Sequence, residues 1–161
     1  MSAPDGILSS LLIIFYMMLG LCMGSFASAI SYRIRNGLSW ISSNNSKTNK
    51  REPARSICIS CGHQLSFFDL IPLVSWIISA GKCRYCHAEI SATYPLIEIA
   101  GAATILAYYF MGLDVYQIII LLVLLPFSLS FLLLIGHRFN PPPYIYLTVL
   151  FNISILVYSF V

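Results

Sequence analysis

Two short segments decide the fold of the polar part of this chain: SICISCGHQL at residues 56–65 and GKCRYCHAEI at residues 81–90. Each segment contains a Cys-x-x-Cys pair, and 21 residues separate the two pairs. This arrangement is typical of a tetrahedral zinc site, in which two tight turns aim four thiolates at one ion. The sequence therefore predicts a structural zinc centre with four ligands: Cys58, Cys61, Cys83 and Cys86.

Paired cysteines are also compatible with two other chemistries. Disulfides are disfavoured if the segment lies in the cytoplasm, and a thioredoxin-type redox pair would need a βαβ pattern that the sequence lacks. His63 and His87 lie just after the pairs, and either could replace a cysteine, although surface positions fit both better. A metal would also solve a problem of size, because about forty residues bury too little apolar surface to fold unaided.

Four apolar runs account for most of the remaining chain, which is 58% hydrophobic and 9% charged overall. They are Ile7–Ile30, Leu96–Leu113, Val115–Ile135 and Tyr144–Val161. A helix needs about 20 apolar residues to cross a bilayer. The sequence therefore predicts an all-α polytopic membrane protein with about four transmembrane helices and a small zinc-ribbon-like insert. The expected parts are a first transmembrane helix (1–31), a linker with the tetracysteine domain (32–94) and transmembrane helices two to four (95–161).

The positions of the cations predict the orientation of these helices. Of the nine Lys and Arg residues, eight lie between Tyr32 and Tyr94, and the ninth, Arg138, lies in a turn on the same predicted side. By the positive-inside rule, the zinc segment and its SSNNSKTNKREP linker (42–53) are then cytoplasmic. The net charge of +3 follows from this topology. Because the cations are scattered among few aromatic residues, no nucleic-acid partner is expected.

Four stretches, which arrive in order along the chain, carry a resemblance. They are GSFASAISYRI (24–34), RSICISC (55–61), DLIPLVSWIISAGKCRYCHAEIS (69–91) and YPLIEIAGA (94–102). With them the chain resembles the N-terminal half of the bacterial prepilin peptidases, the leader peptidase/N-methyltransferases of type IV pili and type II secretion. The resemblance implies a multi-pass protein of the bacterial inner membrane. Such a protein cleaves the leader of prepilin-like substrates and methylates the new N-terminus with S-adenosylmethionine.

In this family the cysteine-rich loop is associated with zinc and methyl transfer, whereas proteolysis uses two aspartates. The sequence departs from the family at the first aspartate. The family's spacing from Pro143 places that position at Gly136, and no carboxylate lies between Tyr116 and the last residue. An aspartyl dyad needs two carboxylates that share a proton. Two smaller departures are Ile59 and Arg35, each at a position where the family usually has proline.

We therefore predict a truncated homologue, a pseudoenzyme for proteolysis, with no confident catalytic residue. It would process or bind prepilin-like substrates, with methyl transfer as the activity left open. The hypothesis includes two forms: a protein that works beside a separate C-terminal half or a full-length peptidase, and a decayed gene product. A non-enzymatic alternative is a membrane-anchored zinc module that scaffolds a pilus or secretion assembly. A zinc transporter is not favoured, because the apolar runs lack the carboxylate and histidine clusters of a transport path.

Three charged residues in the matching stretches are candidates for substrate binding or methyl transfer: Glu98, Asp69 and Arg84. A carboxylate inside an apolar run is unfavourable unless it has a role, so Glu98 could receive the amine of the prepilin N-terminus. It fits equally well as a helix-dipole partner or a snorkelling carboxylate. Asp69 and Arg84 also fit a local ion pair that stabilises the zinc domain.

Two positions in the first run carry packing predictions. The Gly20-x-x-x-Gly24 spacing gives this run a small-residue face suited to close helix packing. Cys22 is expected to be a small buried apolar residue.

Overall fold

The computed structural model describes residues 4–37 and 56–158. Within these ranges the chain forms five α-helices and one short 3-10 helix and has no β-strand, only two isolated antiparallel bridges. The helices are α1 (Pro4–Arg35), α2 (Val74–Ile78), α3 (Thr93–Phe110), α4 (Val115–Gly136) and α5 (Pro143–Tyr158), and the 3-10 helix is Phe67–Leu70. The all-α prediction is confirmed for this part of the chain. The predicted linker at 42–53 lies outside the described residues.

Two of the helices are long and apolar enough to cross a membrane, judged by length and composition: Gly6–Arg35 and Val115–Gly136. α5 is apolar but shorter. Two of the four predicted transmembrane helices therefore meet this criterion, and the four-span topology stays a prediction. Much of α1 is apolar and uncovered, as at Ile7 and Phe15, which are 69% and 57% exposed.

The closest helix contact joins α1 and α3, and glycines permit it. A Cβ atom on Gly20 would lie 2.5 Å from the Cα atom of Ala102, and a Cβ on Gly24 would lie 2.5 Å from the carbonyl oxygen of Ile97. Real Cβ atoms do not approach backbone so closely, so only glycine fits these positions. The predicted small-residue face is confirmed as the α1–α3 contact. α1 and α3 run antiparallel, because Gly20 contacts Ala102 whereas Gly24, further along α1, contacts Ile97, which lies earlier in α3.

Cys22 does not lie on that face. It is exposed, so the expectation of a buried thiol is wrong. The physical reason is the helical repeat: residues 20 and 24 lie on one side of α1, and residue 22 lies about 200° away from residue 20.

α4 completes the bundle, and its carboxyl end lies near the point where the zinc segment joins α3. α1 packs against both α3 and α4, and α4 packs against α5. The main buried cluster joins α1, α3 and α4 through Ala27, Ile97, Ile105, Tyr108, Leu121, Leu125 and Leu129. A second cluster joins α1, α4 and α5 through Ile30, Leu134 and Ile145. The carboxyl ends of α1 and α4 therefore meet the start of α3, where the cysteine segment joins the helices.

Candidate metal centre and its attachment to the helices

The two Cys-x-x-Cys segments fold into equivalent turns. In the first turn the N–H of Cys58 donates to the carbonyl of His63, and in the second the N–H of Cys83 donates to the carbonyl of Ala88, both at 2.8 Å. An antiparallel bridge flanks each turn. The sequence repeat is thus a structural repeat, and each turn presents its two cysteines in the same way.

The residue after the second cysteine of each turn has a positive φ. Gly62 occupies this position in the first turn with φ 70°, and His87 occupies it in the second with φ 58°. The left-handed region suits glycine and is unfavourable for a residue with a Cβ. His87 therefore serves a backbone turn, and His63 stacks on Tyr85 with ring centroids 3.6 Å apart. Both histidines are exposed, and the sulfur cluster consists of cysteines alone within the described ranges.

The four cysteine sulfur atoms form one compact cluster. Cys58, Cys61, Cys83 and Cys86 place their Sγ atoms within 4.8 Å of one another, and none is in a disulfide. The Sγ atoms of Cys58 and Cys86 are 3.9 Å apart. Four sulfurs at about 2.3 Å from a tetrahedral zinc ion are separated by about 3.8 Å. The cluster can therefore hold a metal ion, and its size and all-sulfur donor set fit zinc.

The thiols in this cluster differ strongly in acidity. The backbone N–H of Cys61 lowers the pKa of Cys58, burial opposes this, and the N–H of Ser60 helps to bring the value to about 6. The N–H of Ala88 lowers the pKa of Cys86, but burial and hydrogen bonds with the other three cysteines raise it to about 12. The thiols thus share protons, because adjacent thiolates repel one another. Only a cation allows all four to ionise together.

Zinc affinity is accordingly expected to depend on pH. Cys86 must lose a proton when a metal binds, so the apparent association constant for zinc should rise at least tenfold per pH unit between about pH 7 and 9. Below about pH 6, Cys58 also takes up a proton and the dependence becomes steeper. Competition with a colorimetric zinc chelator at several pH values measures this slope. An affinity that does not change across this range would contradict the proton-sharing cluster.

Asp69 and Arg84 form the predicted ion pair. Their carboxylate and guanidinium groups approach to 3.3 Å, which joins the 3-10 helix to the second cysteine turn. Asp69 also accepts hydrogen bonds from the N–H and the hydroxyl of Ser66 at 3.0 and 2.8 Å. Burial raises the pKa of Asp69, but the Ser66 hydrogen bonds and the Arg84 charge outweigh it and hold the pKa below its usual value. Any role of this pair toward a substrate stays a prediction.

Glu98 attaches the zinc segment to the helices. Its side chain is 7% exposed, and its Oε2 accepts a hydrogen bond from the backbone N–H of Leu73 at 2.6 Å. The hydroxyl of Ser25 on α1 also hydrogen-bonds to this carboxylate. Leu73 has a φ of 60°, which is unfavourable for a leucine and needs support from its surroundings. Glu98 is therefore enclosed between α1, α3 and the start of α2, and it does not snorkel to a surface.

Replacing Glu98 with alanine should loosen this attachment. The Leu73 N–H would lose its acceptor, at a cost of about 1–3 kcal/mol. Glu98→Gln keeps an acceptor oxygen and should lose less than half as much. Thermal unfolding followed by intrinsic tryptophan fluorescence measures both variants, with Glu89→Ala at an exposed glutamate as the control. Equal losses for the alanine and glutamine variants would argue against the hydrogen bond as the attachment.

Two contacts of this site were not predicted. The backbone N–H of Leu73 leaves no mark on the sequence, because any residue except proline offers the same donor. A packing role for Trp76 could have been predicted, because it is a large aromatic residue between the two cysteine pairs. Its indole N–H donates to the carbonyl of Ile90 at 3.1 Å, and its ring lies against Gly81, which has a φ of 69°. Trp76 thus holds α2 against the second turn.

The chain also matches known proteins over the part that contains this site. Residues 18–111 match the family described as Bacterial Peptidase A24 N-terminal domain. The chain belongs to this family. The A24 N-terminal match includes the four cysteines, Asp69, Arg84 and Glu98, and it stops before α4 and α5, so Gly136 lies outside it.

Relatives of this A24 N-terminal domain share one name, Prepilin leader peptidase/N-methyltransferase. The protein of Myxococcus xanthus is 35% identical over 98 residues, which cover 61% of this chain and 26% of the relative. That of Vibrio cholerae is 29% identical over 102 residues, covering 63% and 39%. That of Aeromonas hydrophila is 48% identical over 48 residues, covering 30% and 17%. The predicted relationship to prepilin peptidases is confirmed, and the matched segment spans well under half the length of these relatives. No solved structure matches the chain.

Proposed function

We propose that this chain is the zinc-bearing, prepilin-binding part of a prepilin leader peptidase/N-methyltransferase system. The observation that carries the proposal is the four-sulfur cluster, whose compact size fits one tetrahedral zinc ion. The names of the relatives support the substrate class, because each is called a prepilin leader peptidase/N-methyltransferase. Zinc held by Cys58, Cys61, Cys83 and Cys86 would stabilise the fold of the 56–92 segment. With four thiolates bound, zinc has no open position for chemistry.

The setting of the proposal is the bacterial inner membrane, with four helices across the bilayer and the zinc segment in the cytoplasm. The apolar surface of α1 supports a bilayer around it. The cations flanking the zinc segment support its cytoplasmic side. The zinc segment is joined directly to the start of α3 and is held there by Glu98. It would thus stand at the membrane surface, where the leader of a prepilin reaches the helices.

Methyl transfer is the reaction that these residues are proposed to support. S-adenosylmethionine would supply the methyl group, and the acceptor is the amine of the cleaved substrate. An amine must be unprotonated to accept a methyl group, so a carboxylate beside it can take up the proton. Glu98 is placed for this at the junction of the zinc segment and helices, provided that it exchanges its Leu73 hydrogen bond for the amine. Asp69 and Arg84 are the other candidate contacts.

Proteolysis is proposed to use aspartates from outside this sequence. Gly136 is the last residue of α4, and a Cβ atom built on it would have no neighbour within 4 Å. An aspartate therefore fits at this position without disturbing the packing. One carboxylate does not make a dyad, however, so even Gly136→Asp should not give cleavage by this chain alone.

Co-expression with a tagged prepilin tests the proposal in a strain that lacks its own prepilin peptidase. Mass spectrometry of the substrate scores leader removal and N-methylation separately, and co-purification scores binding. For the methylation assay, a co-expressed peptidase variant that cleaves but does not methylate supplies the mature substrate, and leader removal is scored in cells without that variant. We expect binding and restored N-methylation by the wild-type chain, both lost in Cys83→Ser, and no leader removal by the wild type or Gly136→Asp. Binding without methylation would favour the scaffold alternative, and leader removal by this chain alone would contradict the assignment.

A further inference from the structure

A polar cavity lies where three helix ends meet, apart from the cysteine cluster. Its volume is about 100 Å³, which has room for several water molecules. Its walls include Ser31 and Arg35 near the end of α1, Thr93 and Tyr94 at the start of α3, and His137 at the end of α4. No carboxylate is among the residues that line it.

Two of the groups in this cavity are hydrogen-bond donors without an acceptor. Ser31 is 2% exposed, and within the described part of the chain its hydroxyl has no hydrogen-bond partner. The Nε atom of Arg35 is likewise buried and unpartnered among the described residues. Buried polar groups are almost always paired, and leaving one unpaired is unfavourable. Both orphaned donors belong to residues that line one cavity, and they call for an acceptor that the described protein groups do not supply.

Of the three helix ends around the cavity, the amino end of α3 favours an anion. α3 begins here, so the positive end of its dipole faces the cavity. The carboxyl ends of α1 and α4 have the opposite polarity, but the N–H groups of His137, Arg138 and Phe139 already bond to carbonyls in the last turn of α4. A guanidinium group presents several donors in one plane and binds phosphate or carboxylate oxygens in pairs.

We propose that this cavity binds a phosphate group, held by the Arg35 guanidinium and the Ser31 hydroxyl. The position at the end of α1, an apolar helix with Arg33 and Arg35 in its last turn, places the site at headgroup depth if α1 crosses the bilayer. Basic pockets between helices at that level bind lipid headgroups. The phosphate of an anionic phospholipid is therefore one source, and free inorganic phosphate is the other. This site is independent of the proposed prepilin chemistry.

Ligand binding to the purified full-length chain in detergent tests the proposal. The probes are short-chain phosphatidylglycerol, a diacylglycerol of the same chain length, and inorganic phosphate, with binding followed by native mass spectrometry and by the unfolding temperature. Arg35→Gln should weaken phosphatidylglycerol binding about tenfold or more. Arg33→Gln removes the same charge from a residue that does not line the cavity, and it should change binding less than twofold. Stabilisation by inorganic phosphate as well would identify a site open to soluble anions, whereas stabilisation by the lipid alone would identify a headgroup site.

Ser31→Ala provides a second variant in case Arg35→Gln does not fold. Removing an unpartnered hydroxyl should leave the ligand-free protein as stable as the wild type or more stable. The same variant should gain less stability than the wild type when phosphatidylglycerol is added. Three results would overturn the proposal: equal effects of Arg33→Gln and Arg35→Gln, equal binding of diacylglycerol and phosphatidylglycerol, or unchanged phosphatidylglycerol binding by Ser31→Ala.

Discussion

Replacing Cys83 with serine is expected to abolish stoichiometric zinc binding and to unfold the segment between residues 56 and 92. Cys83 is the most buried of the four ligands, with 4% exposure, and its N–H and carbonyl groups both hold the second turn. Structural zinc sites contribute about 10–16 kcal/mol of apparent binding free energy in small domains. Since about forty residues have little stability of their own, losing one ligand removes more stabilisation than the segment can spare.

The measurement combines the zinc-to-protein ratio with limited proteolysis of the purified chain. Wild-type protein should hold one zinc ion and resist cleavage between residues 56 and 92, whereas Cys83→Ser should hold none and be cut there. Cys22→Ser is the matched control, because it makes the same substitution at an exposed cysteine on α1. Wild-type protein that carries no zinc while its thiols are reduced would show that the cluster does not serve as a metal site.

Replacing Gly24 with leucine is expected to separate α1 from α3. The new Cβ would lie 2.5 Å from the carbonyl oxygen of Ile97 and 2.6 Å from the Cα of Glu98. Both obstacles are backbone atoms, so no side-chain rotation relieves them and the helices must move apart. Overpacking usually lowers the free energy of unfolding by about 1–3 kcal/mol. Because this clash is with backbone atoms, we expect a loss at or above the upper end of that range. The same movement would pull Glu98 away from Ser25.

Thermal unfolding in detergent and the protease sensitivity of the zinc segment both report this change. The unfolding temperature should fall, and the zinc segment should become easier to cleave because its Glu98 attachment is displaced. Gly6→Leu is the control on the same helix, since a Cβ at Gly6 would meet nothing within 4 Å. If Gly24→Leu behaved like Gly6→Leu, the close contact between α1 and α3 would not exist.

Local patterns predicted the cysteine cluster and the helices well, because both depend on neighbours in sequence. The spacing of the cysteines identified all four members of the cluster, and the ends of the apolar runs lie within five residues of the ends of the observed helices. Contacts between residues far apart in the sequence were harder to predict. The glycine spacing predicted a small-residue face on α1, but nothing in the sequence named α3 as its partner. Glu98 was recognised as unusual, whereas its partner is a backbone group that no sequence pattern marks.

The orphaned donors at Ser31 and Arg35 could not be predicted for a related reason. A serine and an arginine near the end of an apolar helix are ordinary interfacial residues. They become unusual only when tertiary packing encloses them without acceptors.

The joining of Cys58 to Cys86 through one cluster also bears on how the protein is made. α1 is synthesised before α3, and the two helices must find each other across the connection from Asn36 to Ala92. A metal ion that clips the two cysteine turns together bypasses about half of this tether. Halving the length of an unfolded connection favours the meeting of its ends by only about 0.6 kcal/mol. The glycine contacts between α1 and α3 should therefore form without the metal, and a cell starved of zinc should accumulate chains with packed helices and an unfolded segment between residues 56 and 92.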